Sequence, residues 1–304
     1  MIAAVLGGGL HYMTAMPGNS YAGPLPALTD AERALAERLR RHVTALAESE
    51  RNADLERAAR YIESAFAAHG VAVESDWFVS RGRKVRNVQT PGPAAIVVGA
   101  HYDSVFRSPG ANDNASGVAA VIELAALLPN LGIRFIAFAN EESPYFRGPD
   151  MGSWHSARTS RERGEALRAM ISLEMLGYYR DEPGSQRYPA PLGLLYPDRA
   201  NFIGFVGDLG SRALVHKVIA AFRRHAQFPS EGVAAPAIIP GIDWSDHWSF
   251  RKHGYPAMMV TDTAFNRYPH YHEPTDTADK LDYERMARVT LGLAATLRDL
   301  AAGR

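Results

Sequence analysis

The chain has 304 residues, with 33 basic and 33 acidic side chains, 46% hydrophobic and 22% charged residues. These proportions exclude disorder as the main state, and a zero formal net charge argues against a nucleic-acid or anionic-membrane footprint, which requires excess Lys and Arg. There is no cysteine, so disulfides, thiolate zinc sites and cysteine nucleophiles are excluded, and a transition metal must be held by His, Asp and Glu.

Residues 1–10 are apolar but well short of the ~20 needed to span a bilayer. They read either as a shortened hydrophobic anchor or as a segment that packs on the domain. The compartment therefore stays open: cytoplasmic by default, periplasmic or membrane-anchored in the first case. Gly7, Gly8 and Gly9 lack the preceding strand and following helix that a nucleotide loop needs. Residues 1–28, rich in Pro and Gly from position 16, are expected to be an extended lead-in, and residues 29–304 one domain.

Thr29 with Asp30 and Glu32 opens a helical pattern through 50, with Leu35, Leu39 and Val43 on one face. A second pattern runs over 52–69, with Leu55, Ala58, Ile62 and Phe66 in register and Gly70 as its stop. Alternation at 71–79 and 85–89 around Arg81-Gly82-Arg83 predicts a hairpin. Short apolar runs at 95–100, 133–139, 170–176, 202–206 and 255–261 predict buried strands, and 115–128, 211–228 and 283–300 predict helices. Strands alternating with helices imply a single-domain α/β fold, a mostly parallel mixed sheet with helices on both faces.

In such a sheet the ligand crevice lies beyond the carboxyl ends of the strands. Those positions are strongly polar here: His101-Tyr102-Asp103 after the first run, Asn140-Glu141-Glu142 after the second, Glu174 near the end of the third, and His270-Tyr271-His272 after the last. Asp113 sits in a Gly/Asn-rich loop between the first two. Imidazole and carboxylate without sulfur suit two ions of the zinc, manganese or cobalt type. The two oxygens of Asp113 can bridge such ions, His101 with Glu174 completing one site and Glu142 with His272 the other, His270 remaining an alternative. Asp103 can orient the His101 ring. In the Glu141-Glu142 doublet one carboxylate binds metal while its neighbour stays free as proton shuttle, which requires irregular backbone rather than strand alternation there. Taken singly, these groups read more simply as surface loops, acidic pairs or, for Asp113, a helix cap; the joint strand-end placement carries the metal reading.

The runs HYDS (101–104), NDNASG (112–117), NEES (140–143), LEMLGY (173–178), SDHWSF (245–250) and YHEPTDTADKLDY (271–283) together resemble the M28 metallopeptidases, the zinc aminopeptidase family with a phosphorylase/hydrolase-like α/β fold. The likeness extends from about residue 52 to the C-terminus; each motif is weak alone, their order specific together. It implies two zinc ions per chain bridged by Asp113, with His101 and Glu174 on one ion, Glu142 and His272 on the other, Glu141 as general base and Asp103 behind His101. It also favours His272 over His270. One departure stands out: many members carry Asp where this chain has Glu174, and the extra methylene alters the reach of that ligand. Tyr178, Trp244, Phe265 and Tyr268 flank the motifs as candidate walls of a pocket for an apolar side chain. Asp246 and His247 are candidate substrate contacts by the same likeness, or alternatively a helix N-terminus packed under the site.

The implied substrate is a small peptide or aminoacyl amide whose free α-amine sits in the acidic cleft. Two other readings compete: a single-zinc enzyme resembling glutaminyl cyclases, or another amide hydrolase, and a noncatalytic binding domain of the same fold. The intact ligand set and Glu141 argue against both. A serine hydrolase is disfavoured because no G-x-S-x-G elbow occurs. Asn114-Ala115-Ser116 matches a glycosylation acceptor, but a glycan there would block the cleft beside Asp113. Oligomeric state and N-terminal residue preference are not encoded in these motifs.

Overall fold

The computed structural model describes residues 2–304. The strands are β1 (Glu74–Ser80), β2 (Arg83–Gln89), β3 (Ile96–His101), β4 (Ile133–Phe138), β5 (Ala169–Glu174), β6 (Ile203–Asp208), β7 (Ser230–Ala235) and β8 (Ala257–Thr261). They form one sheet in the order β1-β2-β4-β3-β5-β8-β6-β7. The four central strands β4, β3, β5 and β8 run parallel, as do β6 and β7, while β1/β2, β2/β4 and β6/β8 are antiparallel. This is the mixed α/β sheet that the alternating pattern predicts. The β1–β2 hairpin turns at Arg81 and Gly82, both with positive φ, the backbone that matches strand twist across a two-residue loop.

Successive strand residues face opposite layers. Val98, Ala137, Ile171 and Met258 join the large core, whereas their neighbours Val97, Ile136, Met170 and Ala257 join a smaller one. The large core packs α2 (Asp30–Leu46), α3 (Leu55–Ala68), α4 (Gly117–Leu127), α6 (Arg212–His225) and α8 (Tyr283–Ala301) on one face. The smaller core lies under α5 (Gly152–Glu162) and α7 (His247–Lys252) on the other. Thr29 caps α2 as a capping box: its hydroxyl oxygen accepts the Glu32 N–H while the Glu32 carboxylate accepts the Thr29 N–H, satisfying two otherwise orphaned donors.

Three regions differ from the pattern expected. Residues 1–28 are not extended throughout, because Ile2–Thr14 forms a helix, α1, that packs near β7; its three consecutive glycines argue locally against helix, so the sequence pattern does not announce it. Residues 15–28 carry no helix or strand. Helix α5 has no signature in the sequence because its buried face is built from Gly152, Ser153, Ser156, Ala157 and Ser160, which leave no hydrophobic period to read. Strand β7 (SEGVAA) likewise lacks a β-branched run. Among the described residues no helix is long and apolar enough to cross a membrane.

Candidate metal centre

His101 is the last residue of β3 and Glu174 the last of β5. Glu141 and Glu142 follow β4, and His272 lies in the loop after β8. Asp113 belongs to the irregular turn Ala111–Ser116 that leads into α4, and its own backbone is non-helical. All five candidate ligands therefore meet at the carboxyl edge of the central strands. Backbone φ is positive at Asn140, Met175 and His272, a conformation uncommon for residues with a side chain and concentrated at functional sites. The break at Asn140 releases both glutamates from strand alternation.

Two groups of polar atoms share Asp113, and a third set, His101 with Glu141 and Glu142, overlaps both. Asp113 Oδ1 lies 3.3 Å from His101 Nε2, which is 3.4 Å from Glu174 Oε1. Asp113 Oδ2 lies 3.1 Å from His272 Nε2, which is 3.5 Å from Glu142 Oε2. Within each group the ligand atoms are within 4.8 Å of one another. Ligands held about 2.0–2.1 Å from a tetrahedral ion would be separated by roughly 3.3 Å, so both groups have the spacing such an ion needs. His270 instead points its Nδ1 at the Thr275 hydroxyl, 2.8 Å away.

The electrostatics fit a bound cation. Four buried carboxylates, Asp113, Glu141, Glu142 and Glu174, converge here, and Glu142 Oε1 has no hydrogen-bond partner. Burial raises the pKa of Glu141 well above its usual value; the His101 charge opposes this, and Glu142 and Glu174 reinforce it. Burial and the Asp113 charge push Glu142 up to about 8. Burial would pull His101 down, but Glu174 and the carboxylates of Asp103 and Asp113 hold it well above the imidazole range. Divalent charge relieves this repulsion, so the donor set suits metal.

A scaffold fixes these groups. The Asp103 carboxylate accepts the N–H of Glu141 at 3.0 Å and of Glu142 at 2.9 Å. It also lies 3.3 Å from His101 Nδ1, although the alignment is too poor for a hydrogen bond. The Ser245 hydroxyl donates to Glu174 Oε2 at 2.6 Å. Asp276 accepts the N–H groups of Asn112 and Asp113, and Tyr271 stacks on His272 at 3.8 Å between ring centroids. Arg51, fully buried, donates to the carbonyls of Tyr102, Asp103, Pro109, Gly110 and Asp113. Gly110 is required beside it: its φ is +64°, and a Cβ there would lie 2.7 Å from the Arg51 guanidinium. The sequence reading missed Arg51, Ser245, Tyr271 and Asp276 as parts of the site. Arg51 carries no sequence signal, since it lies in the polar stretch Ser49-Glu50-Arg51-Asn52 between the two helical patterns.

The centre opens into a cleft of about 560 Å³. Asp113, Glu141, Glu142, Glu174 and His272 stand at its polar end, and Trp244 and Phe265 line it together with Phe146, Phe202, Ile239 and Met259. Trp244 packs against Phe265 at 5.4 Å between centroids. The other candidate contact residues do not line the cleft. Tyr178 and Tyr268 pack together in a buried cluster, the Tyr268 hydroxyl donating to Asp276. His247 is buried with Nε2 2.9 Å from the Ile242 carbonyl oxygen, and burial lowers its pKa to about 4. Asp246 is buried at the start of α7. Both occupy a helix N-terminus packed beneath the site.

Buried imidazole and carboxylate groups with metal spacing, set at the strand ends of an α/β sheet, place the protein among metal-dependent hydrolases. The sequence narrows this class to one family: the chain belongs to Peptidase family M28, whose pattern matches residues 84–297. It is 43% identical over 262 residues to the uncharacterized protein YfbL of Escherichia coli (strain K12), covering 80% of each chain. It is 28% identical over 222 residues to a probable leucine aminopeptidase of Arthroderma otae, covering 67% of this chain but 54% of that protein. The fold is similar to that of the LapA aminopeptidase of Legionella pneumophila, with a TM-score of 0.69 at 22% identity, covering 95% of this chain and 78% of the other.

Proposed function

We propose that the protein is a zinc aminopeptidase that removes the N-terminal residue of small peptides or aminoacyl amides and holds two zinc ions in its cleft. The observation that carries this reading is the orientation of Asp113, whose two carboxylate oxygens face His101 and His272 respectively at 3.3 and 3.1 Å. His101 and Glu174 would hold one ion, Glu142 and His272 the other, and Asp113 both. Bound zinc supplies Lewis acidity, lowering the pKa of water and polarising the scissile carbonyl.

The chain's own groups account for the remaining steps. Glu141 is in the cleft but is not needed in either group built on Asp113, and burial raises its pKa, which makes it a stronger proton acceptor once ionised. Its carboxylate takes the proton of the attacking water, then delivers it to the nitrogen of the departing amine as the C–N bond breaks. Glu141 and Glu174 make the cleft acidic where a substrate α-ammonium would lie, which favours a free N-terminus. Trp244, Phe265 and the neighbouring apolar side chains would take the first side chain and exclude water. Asp103 positions both glutamates through their backbone N–H groups.

Elemental analysis, combined with hydrolysis of aminoacyl amides and of their N-acetylated counterparts, tests the reading. Two zinc equivalents in the cleft and turnover of the free-amine substrates alone are expected. Cleavage restricted to N-blocked compounds would remove the aminopeptidase assignment, and cyclisation of N-terminal glutamine with one ion would replace hydrolysis by cyclase chemistry.

A further inference from the structure

The geometry points to another metal site, away from the cleft: we propose that His42, His69 and Glu123 bind one divalent ion of the zinc class. His42 lies on α2, Glu123 on α4, and His69 is the residue that ends α3. Their side chains meet although they come from three helices. Glu123 Oε1 lies 3.2 Å from His42 Nε2 and 3.3 Å from His69 Nε2, and the three ligand atoms are all within 4.8 Å of one another. These separations equal the roughly 3.3 Å edge of a tetrahedron around a zinc-sized ion, and they match those of the two groups in the cleft.

The surroundings are arranged as a ligand set requires. Tyr61 Oη is 3.0 Å from His42 Nδ1; when Nδ1–H donates to that oxygen, the Nε2 lone pair faces the centre. Arg38 Nε donates to Glu123 Oε2 at 2.8 Å, which leaves Oε1 as the single ligand oxygen. Glu123 is 1% exposed at its side chain, whereas His69 is 24% exposed, so a fourth position is open to water from the His69 side. Two imidazoles and one carboxylate favour zinc, cobalt or copper over calcium and magnesium, which prefer all-oxygen sets. The ion would tie α2, α3 and α4 together, a structural task independent of the proposed catalysis. The competing arrangement has no metal and two Nε2–H groups donating to one oxygen.

The test compares zinc content after stripping, reloading with excess zinc and desalting. His69→Ala is expected to retain one equivalent fewer than the wild-type protein, with hydrolysis per loaded chain unchanged. In the reverse experiment, Asp113→Asn removes the carboxylate shared by the cleft groups; that variant should still take up one cobalt ion with the visible absorption of a four-coordinate site, and adding His69→Ala should abolish it. Equal zinc content in wild-type and His69→Ala, or absence of cobalt uptake by Asp113→Asn, overturns the proposal. Should His69→Ala fail to fold, His69→Gln, which keeps the bulk of the side chain and removes the ligand nitrogen, replaces it in both experiments. Failure of the cleft to bind metal leaves the one-equivalent difference readable, so the two readings fail separately.

Discussion

Asp103 Oδ1 accepts the main-chain N–H of Glu141 at 3.0 Å, so the residue proposed as proton acceptor is aimed by a buried carboxylate on the neighbouring strand end. The second oxygen holds Glu142 in the same way at 2.9 Å. Asn at position 103 can satisfy only one of these N–H donors and turns its own NH₂ toward the other. Asp103→Asn should cost about 1–3 kcal/mol of stability and lower metal affinity or turnover about 10–100-fold. Urea unfolding and kcat/KM measure the two effects; wild-type turnover in a folded Asp103→Asn protein would show that Asp103 does not position the doublet.

Glu141 and Asp113 should separate chemistry from metal retention. Glu141→Gln keeps the size of the side chain but cannot accept a proton, and Glu141 belongs to neither proposed ligand group. The variant should bind the cleft zinc normally and lose turnover by about 10²–10⁴-fold. Asp113→Asn should lose the cleft ions together with activity, because both groups depend on that carboxylate. Metal analysis beside kinetics distinguishes them; normal activity in Glu141→Gln would remove the proposed base.

Metal binding should release protons at neutral pH. Without ions, burial and Asp113 push Glu142 up to about 8, Glu174 is raised chiefly by burial, and His101 stays protonated because Glu174 and nearby carboxylates outweigh its burial. Glu142, at about 8, must lose its proton to become a ligand, and a ligand imidazole at His101 must likewise be neutral. The sign follows: loading displaces protons, so apparent affinity rises with pH, by about tenfold per unit for each proton displaced. Titration calorimetry at pH 7 in two buffers of different ionisation enthalpy should give different heats, and identical heats would contradict the raised pKa values.

The aromatic wall should act on binding more than on rate. Trp244 and Phe265 are 37% and 40% exposed and lie along the cleft rather than at its polar end. Truncating either to Ala removes apolar contact that a substrate makes equally in its ground and transition states. For a peptide with a leucine-like first residue, KM should rise about tenfold, corresponding to roughly 1.4 kcal/mol of lost apolar burial, with kcat little changed. A fall in kcat at constant KM would instead place these rings next to the reacting atoms.

The parts of this molecule that could be read from the chain are those in which one residue type at one place has a single physical use. Apolar runs ending in His101 and Glu174 are legible because a strand must stop where it becomes polar, and the α/β rule then says where those ends gather. Glu141 and Glu142 are legible as a pair for the same reason. Helix α5 is not, since serines and glycine bury its face. Tyr178, Tyr268, Asp246 and His247 sit close in sequence to the site motifs, yet their side chains turn into the packing beneath it. Neighbourhood along the chain does not report which way a loop residue points.

Arg51 shows the same limit from the opposite side, because its partners are carbonyl oxygens that carry no sequence signature. Its guanidinium reaches Tyr102 and Pro109 at 2.7 Å and Asp103 at 3.0 Å, with Gly110 at 3.1 Å and Asp113 at 3.2 Å. It thereby clamps the chain after His101 to the turn that carries Asp113. Burial lowers its pKa, with Asp103, Asp276, Asp113 and Glu142 opposing, so the cation is held among the carboxylates of the centre. Arg51→Lys retains the charge but offers one compact ammonium in place of a planar fork, and several buried carbonyls would lose their donor at about 1–3 kcal/mol each. The variant should unfold at lower urea concentration by at least about 2 kcal/mol and, where still folded, bind cleft zinc more weakly because the spacing of His101 and Asp113 is no longer enforced. Unchanged stability and zinc affinity in Arg51→Lys would mean that the two segments hold their positions without the clamp.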